Sequence, residues 1–499
     1  MSTSFSSDDN KPHVTHVDVE SESYSEDSSS EPKISQEHKD YLIARHGTFN
    51  LSPLPSMDDD DPLNWPNWDK NLQLGIIVFH GFLTVFYASG VVAAFARLAE
   101  ELGQPLSKIS YLTSSQIVVL GIAPLFWVPF TNRYGKRNIL IFTCLMSTVF
   151  NLVCVFITSY GPMIAMRVLA AFFFSAGLAI GGIVVGETTF SHQRASRSGI
   201  WGLMVNLGTQ AGPLFMGFVA QRQPSKYVFV VFTATNFALM LLYIFFGRES
   251  LYNYNDKSRN VTGRYASLMN FKPIIPERRV DVAAIFEPVK LFKTWKVTVA
   301  AVAYGVCFMF DNVATNVELP IVMGQKFQLG PQATGLQFIS FMVGSLLGEQ
   351  CGGWMSDRFM IWGKSRNKGK SFRLWLGYPG FITSIVGLIV YGFQIQKAVS
   401  WDITPLVGLA ICSFGMQVVT TTMIAFSMDT RPLIQEDVAL FLTAVRQTLG
   451  FIGPFFFPKM YDTLRFDGAY GLMAALIFIF AMVPVVYLHI VDSRDDKRS

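Results

Sequence analysis

Acidic and aromatic side chains recur along one apolar stretch of the chain at the spacing of a helix face. Asp311, Thr315 and Glu318 stand at i, i+4 and i+7, and Tyr304 and Phe308 precede them on the same face. Carboxylates supply charge for a cation, and aromatic rings attract cations through their quadrupoles. The pattern therefore predicts a face that lines a path for a cationic or protonatable substrate. The structural alternative is that Glu318 meets water near a helix end and Asp311 pairs with a neighbouring helix.

Two arginines and one histidine also lie within apolar runs. A charge at the centre of a membrane span costs at least ~2.5–3.5 kcal/mol. Arg446 therefore needs an anionic substrate, a gating ion pair with a carboxylate such as Asp311, or a fixed buried partner. Arg167 lies nearer the end of its run. It is expected either to line a substrate or proton path or to extend its side chain to the membrane surface. Histidine is the side chain whose unperturbed pKa lies near neutral pH, so His80 suits a proton relay or a hydrogen-bonded packing role.

The other polar groups within the apolar runs are carboxylates and amides. Glu187 and Glu349 lie near run ends, within reach of loop cations such as Arg133 and Arg358, and we interpret them as parts of a structural charge network. The amides are spread over several runs, as expected for groups around a central cavity or for hydrogen bonds between helices. These amides are Gln116, Asn206, Gln210, Asn236, Gln337 and Gln417.

The elements that position these residues are long apolar runs. Of the 499 residues, 51% are hydrophobic and 15% are charged, whereas an ordinary soluble domain carries about 25% charge. A membrane span needs about 20 apolar residues. We therefore predict an all-α membrane protein with twelve transmembrane helices, and the low charge disfavours a soluble enzyme. The runs lie near residues 72–95, 111–131, 139–157, 162–189, 199–220, 227–247, 297–320, 332–355, 374–396, 402–428, 437–458 and 468–490.

The runs divide into six and six around a polar stretch. We predict two pseudo-symmetric six-helix bundles at residues 72–247 and 297–490, joined by a cytosolic central loop at 248–296. Residues 1–71 hold 5 Lys or Arg against 15 Asp or Glu and are predicted to form a disordered, acidic cytosolic tail. Residues 491–499 form a short cytosolic tail.

The distribution of positive charge predicts the orientation. With both termini in the cytosol, the cytosolic segments hold 30 Lys or Arg and the external loops hold 8. Cytosolic loops retain positive charge, so this orientation is strongly favoured.

Two short motifs recur in matching order in the two halves. Residues 132–137 follow the second run and residues 353–358 follow the eighth, and each places a polar residue and an arginine at the cytosolic exit. A glycine-proline element stands in the fifth run and again in the eleventh, which indicates a duplicated six-helix unit of the kind found in transporters. The element comprises Gly208, Gly212 and Pro213 in the first half, and Gly450, Gly453 and Pro454 in the second.

These motifs resemble the major facilitator superfamily, and more narrowly the fungal proton-coupled drug and polyamine permeases with twelve spans. The resemblance covers about residues 60–490 and is carried by the segment 61–66, the loop motif 129–137 and the fifth-run glycine-proline element. It implies that these motifs guide conformational change. The residues so implied are Asn132, Arg133, Gly135, Lys136, Arg137, Gly208, Gly212, Pro213, Gly217, Gly353, Asp357 and Arg358.

The chain departs from the family pattern at several positions. Asn132 stands where the superfamily usually has Asp, and Val128 stands where it has Gly, so the charge relay is weaker in the first half. Met216 replaces the first closing glycine of the fifth-run motif, and Ala171 replaces the glycine one turn after Arg167.

These observations predict a secondary active transporter that works by alternating access and is coupled to protons. The acidic and aromatic stripe favours an organic cation or a drug-like metabolite. A polyamine uptake permease, an exporter of an anionic metabolite and a membrane nutrient sensor without transport activity are the alternatives. The path would include Asp311, Glu318, Arg446, Arg167, His80, Tyr304, Phe308, Thr315, Asn206, Gln210 and Gln417.

Other functional classes are disfavoured by what the sequence lacks. No G-x-x-x-x-G-K-S/T loop for ATP is present, and neither metal-ligand spacing nor a nucleophile motif suggests an enzyme. We expect no cofactor, no metal and no nucleic-acid partner. The expected partners are a small-molecule substrate, protons and the lipid bilayer, with the chain acting as a monomer in the plasma membrane.

Overall fold

The fold is known from a computed structural model of the chain. The structure describes residues 35–495, apart from positions 261–262, 264, 266–267, 269–271, 279, 281, 356–357, 360–361, 363–369 and 432–433.

The chain divides into two compact units, residues 1–50 and residues 51–499. In the first unit, the described part holds one helix, Gln36–His46. The Ser35 side chain accepts a hydrogen bond from the His38 amide at its start, and Gly47 ends it in the left-handed conformation. The N-terminal segment predicted to be disordered therefore contains a capped helix.

The second unit is a bundle of helices, and the described residues contain no β-strand, which confirms the predicted all-α class. Within the described ranges, eleven helices are long and apolar enough to cross a membrane. We number them by order in the chain as spans 1–7 and 9–12. Spans 1–7 are Asn67–Leu102, Leu106–Tyr134, Arg137–Cys154, Tyr160–Thr188, Ser196–Arg222, Lys226–Phe245 and Trp295–Phe327, and spans 9–12 are Ser371–Lys397, Thr404–Thr430, Gln435–Phe455 and Phe457–Arg494.

Span 8 is interrupted, which is why length alone does not identify it. Its pieces are Pro331–Leu336, Ile339–Glu349 and a π-helical turn, Gln350–Trp354. Together they follow the predicted run 332–355. The face at which span 1 begins and span 12 ends is called the terminal face below, and the other is called the opposite face.

Large apolar side chains remain exposed around the bundle. Examples on separate spans are Phe142, Leu152, Phe237, Ile382 and Phe393. In water such a surface would be costly, whereas lipid tails solvate it without loss. The exposed apolar surface therefore fits a protein that crosses the bilayer several times.

Helices pack mainly within each half of the chain. Span 1 packs against span 5, and span 3 packs against spans 4 and 6, while span 10 packs against spans 8 and 9. Between the halves, span 2 packs against span 11, and span 5 packs against span 8. These two pairs form the main boundary between the halves.

Glycines allow the two halves to approach closely. A Cβ atom at Gly121 on span 2 would lie 2.6 Å from the Cβ atom of Gln447 on span 11. A Cβ atom at Gly217 on span 5 would lie 2.7 Å from the Pro331 carbonyl oxygen and 3.3 Å from the Gly335 Cα atom on span 8. Any larger residue at these positions must push the halves apart.

Contacts between spans 2 and 11 run from one face to the other. The Tyr111 and Phe455 rings stack 4.8 Å apart on the opposite face, and Leu125 and Val128 pack with Leu440 toward the terminal face. Both ends of this pair are therefore closed in the described conformation. Alternating access requires one end to open while the other stays packed.

We expect Gly217→Leu to hold spans 5 and 8 apart on the opposite face, because its side chain would overlap the Pro331 carbonyl group. Spin labels at Arg222 and Gln332 should report a longer distance by electron paramagnetic resonance in this variant. Gly202→Leu is the matched control, since no atom lies within 4 Å of a Cβ atom at Gly202. An unchanged distance distribution in Gly217→Leu would contradict the close approach.

Candidate functional site

The predicted single face of span 7 is divided by a π-helical turn, Phe308–Val313. A π turn contains one residue more than an α turn, so the residues after it are rotated by about 100° relative to α-helical register. Tyr304 and Phe308 contact span 11, whereas Asp311 contacts spans 9 and 10. The expectation of one continuous stripe is therefore wrong, because it assumed an α-helix throughout.

Asp311 is buried between three helices. Its carboxylate accepts hydrogen bonds from the Ser384 hydroxyl on span 9 and from the Cys412 thiol on span 10, with the thiol sulfur 3.3 Å away. The Thr315 hydroxyl donates to the Asp311 backbone carbonyl, so its hydrogen bond is formed within its own helix. Within the described part of the chain, Asp311 has only neutral hydrogen-bond donors and no cation beside it.

The described partners of Arg446 lie on span 7, and none of them is acidic. Its Nη1 atom donates to the Tyr304 hydroxyl at 2.8 Å, and the guanidinium lies 4.6 Å from the centre of the Phe308 ring. Its Nε atom is buried without a hydrogen-bond partner. The gating pair considered between Arg446 and Asp311 is not formed in this conformation, because the π turn directs Asp311 away from span 11.

Glu318 is 4% exposed and does not meet water at a helix end. Its carboxylate lies within electrostatic range of three tyrosines from spans 9 and 12, Tyr391, Tyr461 and Tyr470. Sequence reasoning missed these tyrosines, because no periodicity within one helix connects them to Glu318.

Arg167 is completely buried on span 4, so it does not extend to the membrane surface. Its Nη2 atom donates to the Tyr87 carbonyl oxygen at 2.8 Å and to the Gln116 side-chain oxygen. The Gln116 amide donates back to the Arg167 carbonyl at 3.0 Å. The Nε and Nη1 atoms of Arg167 have no hydrogen-bond partner in the described part of the chain.

A small cavity with polar and apolar walls adjoins this guanidinium in the first half. Spans 1–4 contribute its walls, and the Asn151 side-chain oxygen is a second buried polar atom without a partner. Unpaired donors on a fixed cation favour a carboxylate or another anionic group, which this small cavity could admit only if the surrounding spans moved apart. The lining residues are Thr84, Tyr87, Ala88, Gln116, Leu120, Ser147, Asn151, Arg167, Ala170, Ala171 and Phe174.

His80 is completely buried, and both of its ring nitrogens have partners. The Nε2 atom lies 3.3 Å from the Phe174 carbonyl oxygen, which only accepts hydrogen bonds, so Nε2 carries the proton. The Nδ1 atom then accepts from the Tyr243 hydroxyl at 3.0 Å. This arrangement fits the packing role that the sequence also allowed.

Amide side chains bridge the two halves. The Asn206 amide on span 5 donates to the Gln417 side-chain oxygen on span 10, and the Gln417 amide donates to the Glu349 carboxylate on span 8. The Thr421 hydroxyl also donates to Glu349, at 3.2 Å. The Gln210 side-chain oxygen is buried without a partner. Glu349 thus belongs to a hydrogen-bond network between helices.

The loop motif after span 2 is anchored by Glu249, which the sequence analysis missed. The Glu249 carboxylate accepts from the backbone amides of Lys136 at 2.9 Å and Arg137 at 3.0 Å. Burial raises the pKa of Glu249, while these amides and the Lys136 ammonium oppose the shift. Gly135 has a φ of 98°, and a Cβ atom there would lie 2.6 Å from the Glu249 carboxylate.

Two cations of this motif are held by other spans. The Lys136 ammonium pairs with Glu187 on span 4, and the Arg137 guanidinium donates to the Tyr243 and Ile244 carbonyl oxygens on span 6. Arg133 lies over the Tyr134 ring. The charge network predicted around Glu187 is thus built from Lys136.

Asn132 keeps one buried side-chain oxygen without a partner. On the second repeat, a Cβ atom at Gly353 would lie 3.7 Å from Glu349. Arg358 is among the described residues, and Asp357 lies outside them.

The segment 61–66 folds against the end of span 6. Arg248 pairs with Asp60 at 3.1 Å and with Asp69 on span 1 at 2.9 Å, and its guanidinium lies 4.6 Å from the centre of the Trp65 ring. The side chain of Asp61 caps the short helix that begins at Pro62. This motif therefore fixes the start of span 1 to the end of span 6.

The glycine-proline element of span 5 presses against span 1. A Cβ atom at Gly208 would overlap the Phe82 carbonyl oxygen, and one at Gly212 would lie 2.7 Å from the Phe86 carbonyl oxygen. Pro213 lies inside the continuous helix of span 5. The element thus serves close helix packing, and Gly217 extends that packing to the other half.

Comparison with known proteins agrees with this architecture. The MFS transporter cpaT of Aspergillus oryzae is 26% identical, over 86% of this chain and 88% of that protein. The efflux pump vrtL of Penicillium aethiopicum is also 26% identical, over 87% of each chain. The crystal structure of the human organic anion transporter MFSD10 (TETRAN) superposes with a TM-score of 0.57 at 14% identity, over 85% of this chain and 100% of that chain.

The structural similarity shows the fold, and a family model described as Major Facilitator Superfamily matches residues 77–458. The fungal relatives confirm the resemblance seen in the motifs. The family and these relatives are transporters, not enzymes. With its multi-pass helical membrane architecture, the chain belongs to the Major Facilitator Superfamily.

Proposed function

We propose that the chain is a proton-coupled secondary transporter of a small organic molecule that carries a cationic group. The observation that carries the proposal is Asp311, a buried carboxylate with neutral hydrogen-bond donors and no cation beside it among the described residues. Ionising a carboxyl group in such a site costs free energy unless a positive charge approaches. A proton and a cationic substrate can each neutralise it, so the two would compete for one group.

The halves at residues 72–247 and 297–490 would move as two bundles. Their main contacts are the pair of spans 2 and 11 and the pair of spans 5 and 8. The hydrogen bond between Asn206 and Gln417 crosses from one half to the other and must break when they separate at that level. Because Gln417 also donates to Glu349, this break would redistribute the donors around a second carboxylate.

The direction of transport that we propose is export. Two relatives, from Penicillium aethiopicum and Aspergillus flavus, are named as an efflux pump and a probable efflux pump, and the second is 24% identical over 76% of this chain. A drug-like metabolite with a basic group is consistent with the names of both relatives. Its positive charge would also neutralise Asp311, which has only neutral hydrogen-bond donors among the described residues.

Asp311→Asn should abolish gradient-driven transport, because the amide keeps the size of the carboxyl group and cannot ionise. We expect the pH-gradient-driven flux of ethidium, an organic cation, to fall to the level of empty liposomes in reconstituted vesicles. Asp402→Asn, in an exposed loop, is the matched control and should keep normal flux. Normal flux and pH dependence in a folded Asp311→Asn protein would overturn the proposal.

An anionic substrate is the second candidate, and it is favoured by the Arg167 cavity. Two of the guanidinium nitrogens face no acceptor there, and no described acidic group pairs with them. A bound carboxylate would supply the missing acceptors. The substrate would then occupy the first half, whereas a cation would occupy the second.

The two candidates can be separated by ligand-induced stabilisation. If an anion binds in the first half, benzoate should raise the melting temperature of the purified protein, because a ligand that binds only the native state stabilises it. Arg167→Gln should remove this rise, and the exposed Arg222→Gln should keep it. An equal rise in the Arg167→Gln protein would exclude the cavity as the anion site.

We also propose that the terminal face is cytosolic and that the protein resides in the plasma membrane. The proposal rests on the 30 to 8 distribution of Lys and Arg. Val399 lies on the opposite face and is 95% exposed, so Val399→Cys should react with an impermeant thiol reagent in intact cells. Lys257→Cys, beyond span 6, should react only after permeabilisation. The reverse pattern would invert the topology.

A further inference from the structure

Glu318 and three tyrosines form a polar cluster on the opposite face of the second half. The Glu318 carboxylate is buried on span 7, and within the described residues it receives no hydrogen bond and forms no ion pair. A buried acid that lacks both a donor and a cation is costly. A bound group must therefore supply the hydrogen-bond donor or positive charge that the described side chains do not provide.

The hydroxyl groups of the three tyrosines are also buried and unsatisfied. None of the hydroxyls of Tyr391, Tyr461 and Tyr470 makes a hydrogen bond of good geometry, although that of Tyr470 lies near the other two. The Tyr391 and Tyr470 rings meet edge to face at 4.9 Å, and the Tyr461 and Tyr470 rings lie 5.6 Å apart. The rings are fixed by this contact, so their hydroxyls are held in place.

A break in span 12 brings two of these tyrosines to one side. Residues nine apart on a continuous α-helix point in opposite directions, since each residue turns by about 100°. Arg465 lies between Tyr461 and Tyr470 with φ 59° and ψ 177°, which interrupts the helix. A left-handed φ in a residue other than glycine costs of order 1–3 kcal/mol and is retained where the surrounding structure enforces it.

Neighbouring charges leave the cluster net acidic. Asp462 adds a second carboxylate within electrostatic range of Glu318. The Lys326 ammonium lies near the ring of Phe466 and is held by the carbonyl oxygens of Ile395 and Gln396. Lys326 forms no ion pair with Glu318, so an added cation would find the carboxylate unoccupied.

From this geometry we infer that Glu318, Tyr391, Tyr461 and Tyr470 bind the primary ammonium group of a small organic amine. Its three N–H donors can be taken up by the carboxylate and two of the tyrosine hydroxyl oxygens at a time. A quaternary ammonium group has no N–H to donate and would leave these acceptors unsatisfied. The inference rests on the proposed cationic substrate and adds a second site, which lies further along spans 7 and 9 than Asp311 and Ser384 and uses span 12 in place of span 10.

The test is calorimetric titration of the full-length protein in lipid nanodiscs, without a pH gradient. Butylammonium should bind measurably better than tetramethylammonium. Glu318→Gln, Tyr391→Phe and Tyr470→Phe should each weaken butylammonium binding by at least about tenfold, the value of a hydrogen bond to a charged group. Glu101→Gln and Tyr160→Phe are the matched controls, because both residues lie on the opposite face of the first half.

Each outcome decides the inference. The absence of butylammonium binding to the wild-type protein at millimolar concentration, equal binding of tetramethylammonium, or unchanged affinity in folded Glu318→Gln overturns it. If Glu318→Gln does not fold, the two tyrosine variants decide, since each removes one hydroxyl group only. Because Asp311 is intact throughout, failure here leaves proton coupling at Asp311 standing. Butylammonium binding that persists while Asp311→Asn transports normally would overturn that coupling instead.

Discussion

The cost of placing a charge in a low-dielectric helical bundle governs how this protein is built. Asp311, Glu318, Arg167 and Arg446 carry ionisable side chains within the spans, and each is accommodated differently. Arg446 uses a tyrosine hydroxyl and a phenyl ring, Asp311 uses a hydroxyl and a thiol, and Arg167 uses a carbonyl and an amide. Glu318 has no such partner among the described residues, and it is therefore the side chain for which we propose a ligand.

The second constraint is the close approach of helices in the absence of a hydrophobic driving force between them. In lipid, helices associate by packing and by hydrogen bonds, so small residues determine where they meet. Gly121 and Gly217 permit contact between the halves, while Gly208 and Gly212 fasten span 1 to span 5. Rigid halves with a glycine-lined boundary are what a rocking motion requires.

The terminal face shows how the first half is kept rigid. Arg248 and Glu249 are adjacent at the end of span 6, yet they bind different partners. Arg248 binds two acidic groups before and within span 1, and Glu249 binds the amides at the start of span 3. One dipeptide thus connects three spans, and the conformational motif 132–137 is held by an acid that lies outside the motif.

The sequence by itself determined the membrane class, the helical runs and the family, because apolar length and motif spacing are local properties of a chain. It also identified most of the buried ionisable residues, since a charge within an apolar run is visible without a structure. The tertiary structure decided their partners. The π turn in span 7 separates Asp311 from Arg446, and the break at Arg465 places Tyr461 beside Tyr470. Neither departure from the α-helix has a sequence periodicity of its own, because each is enforced by packing against other spans.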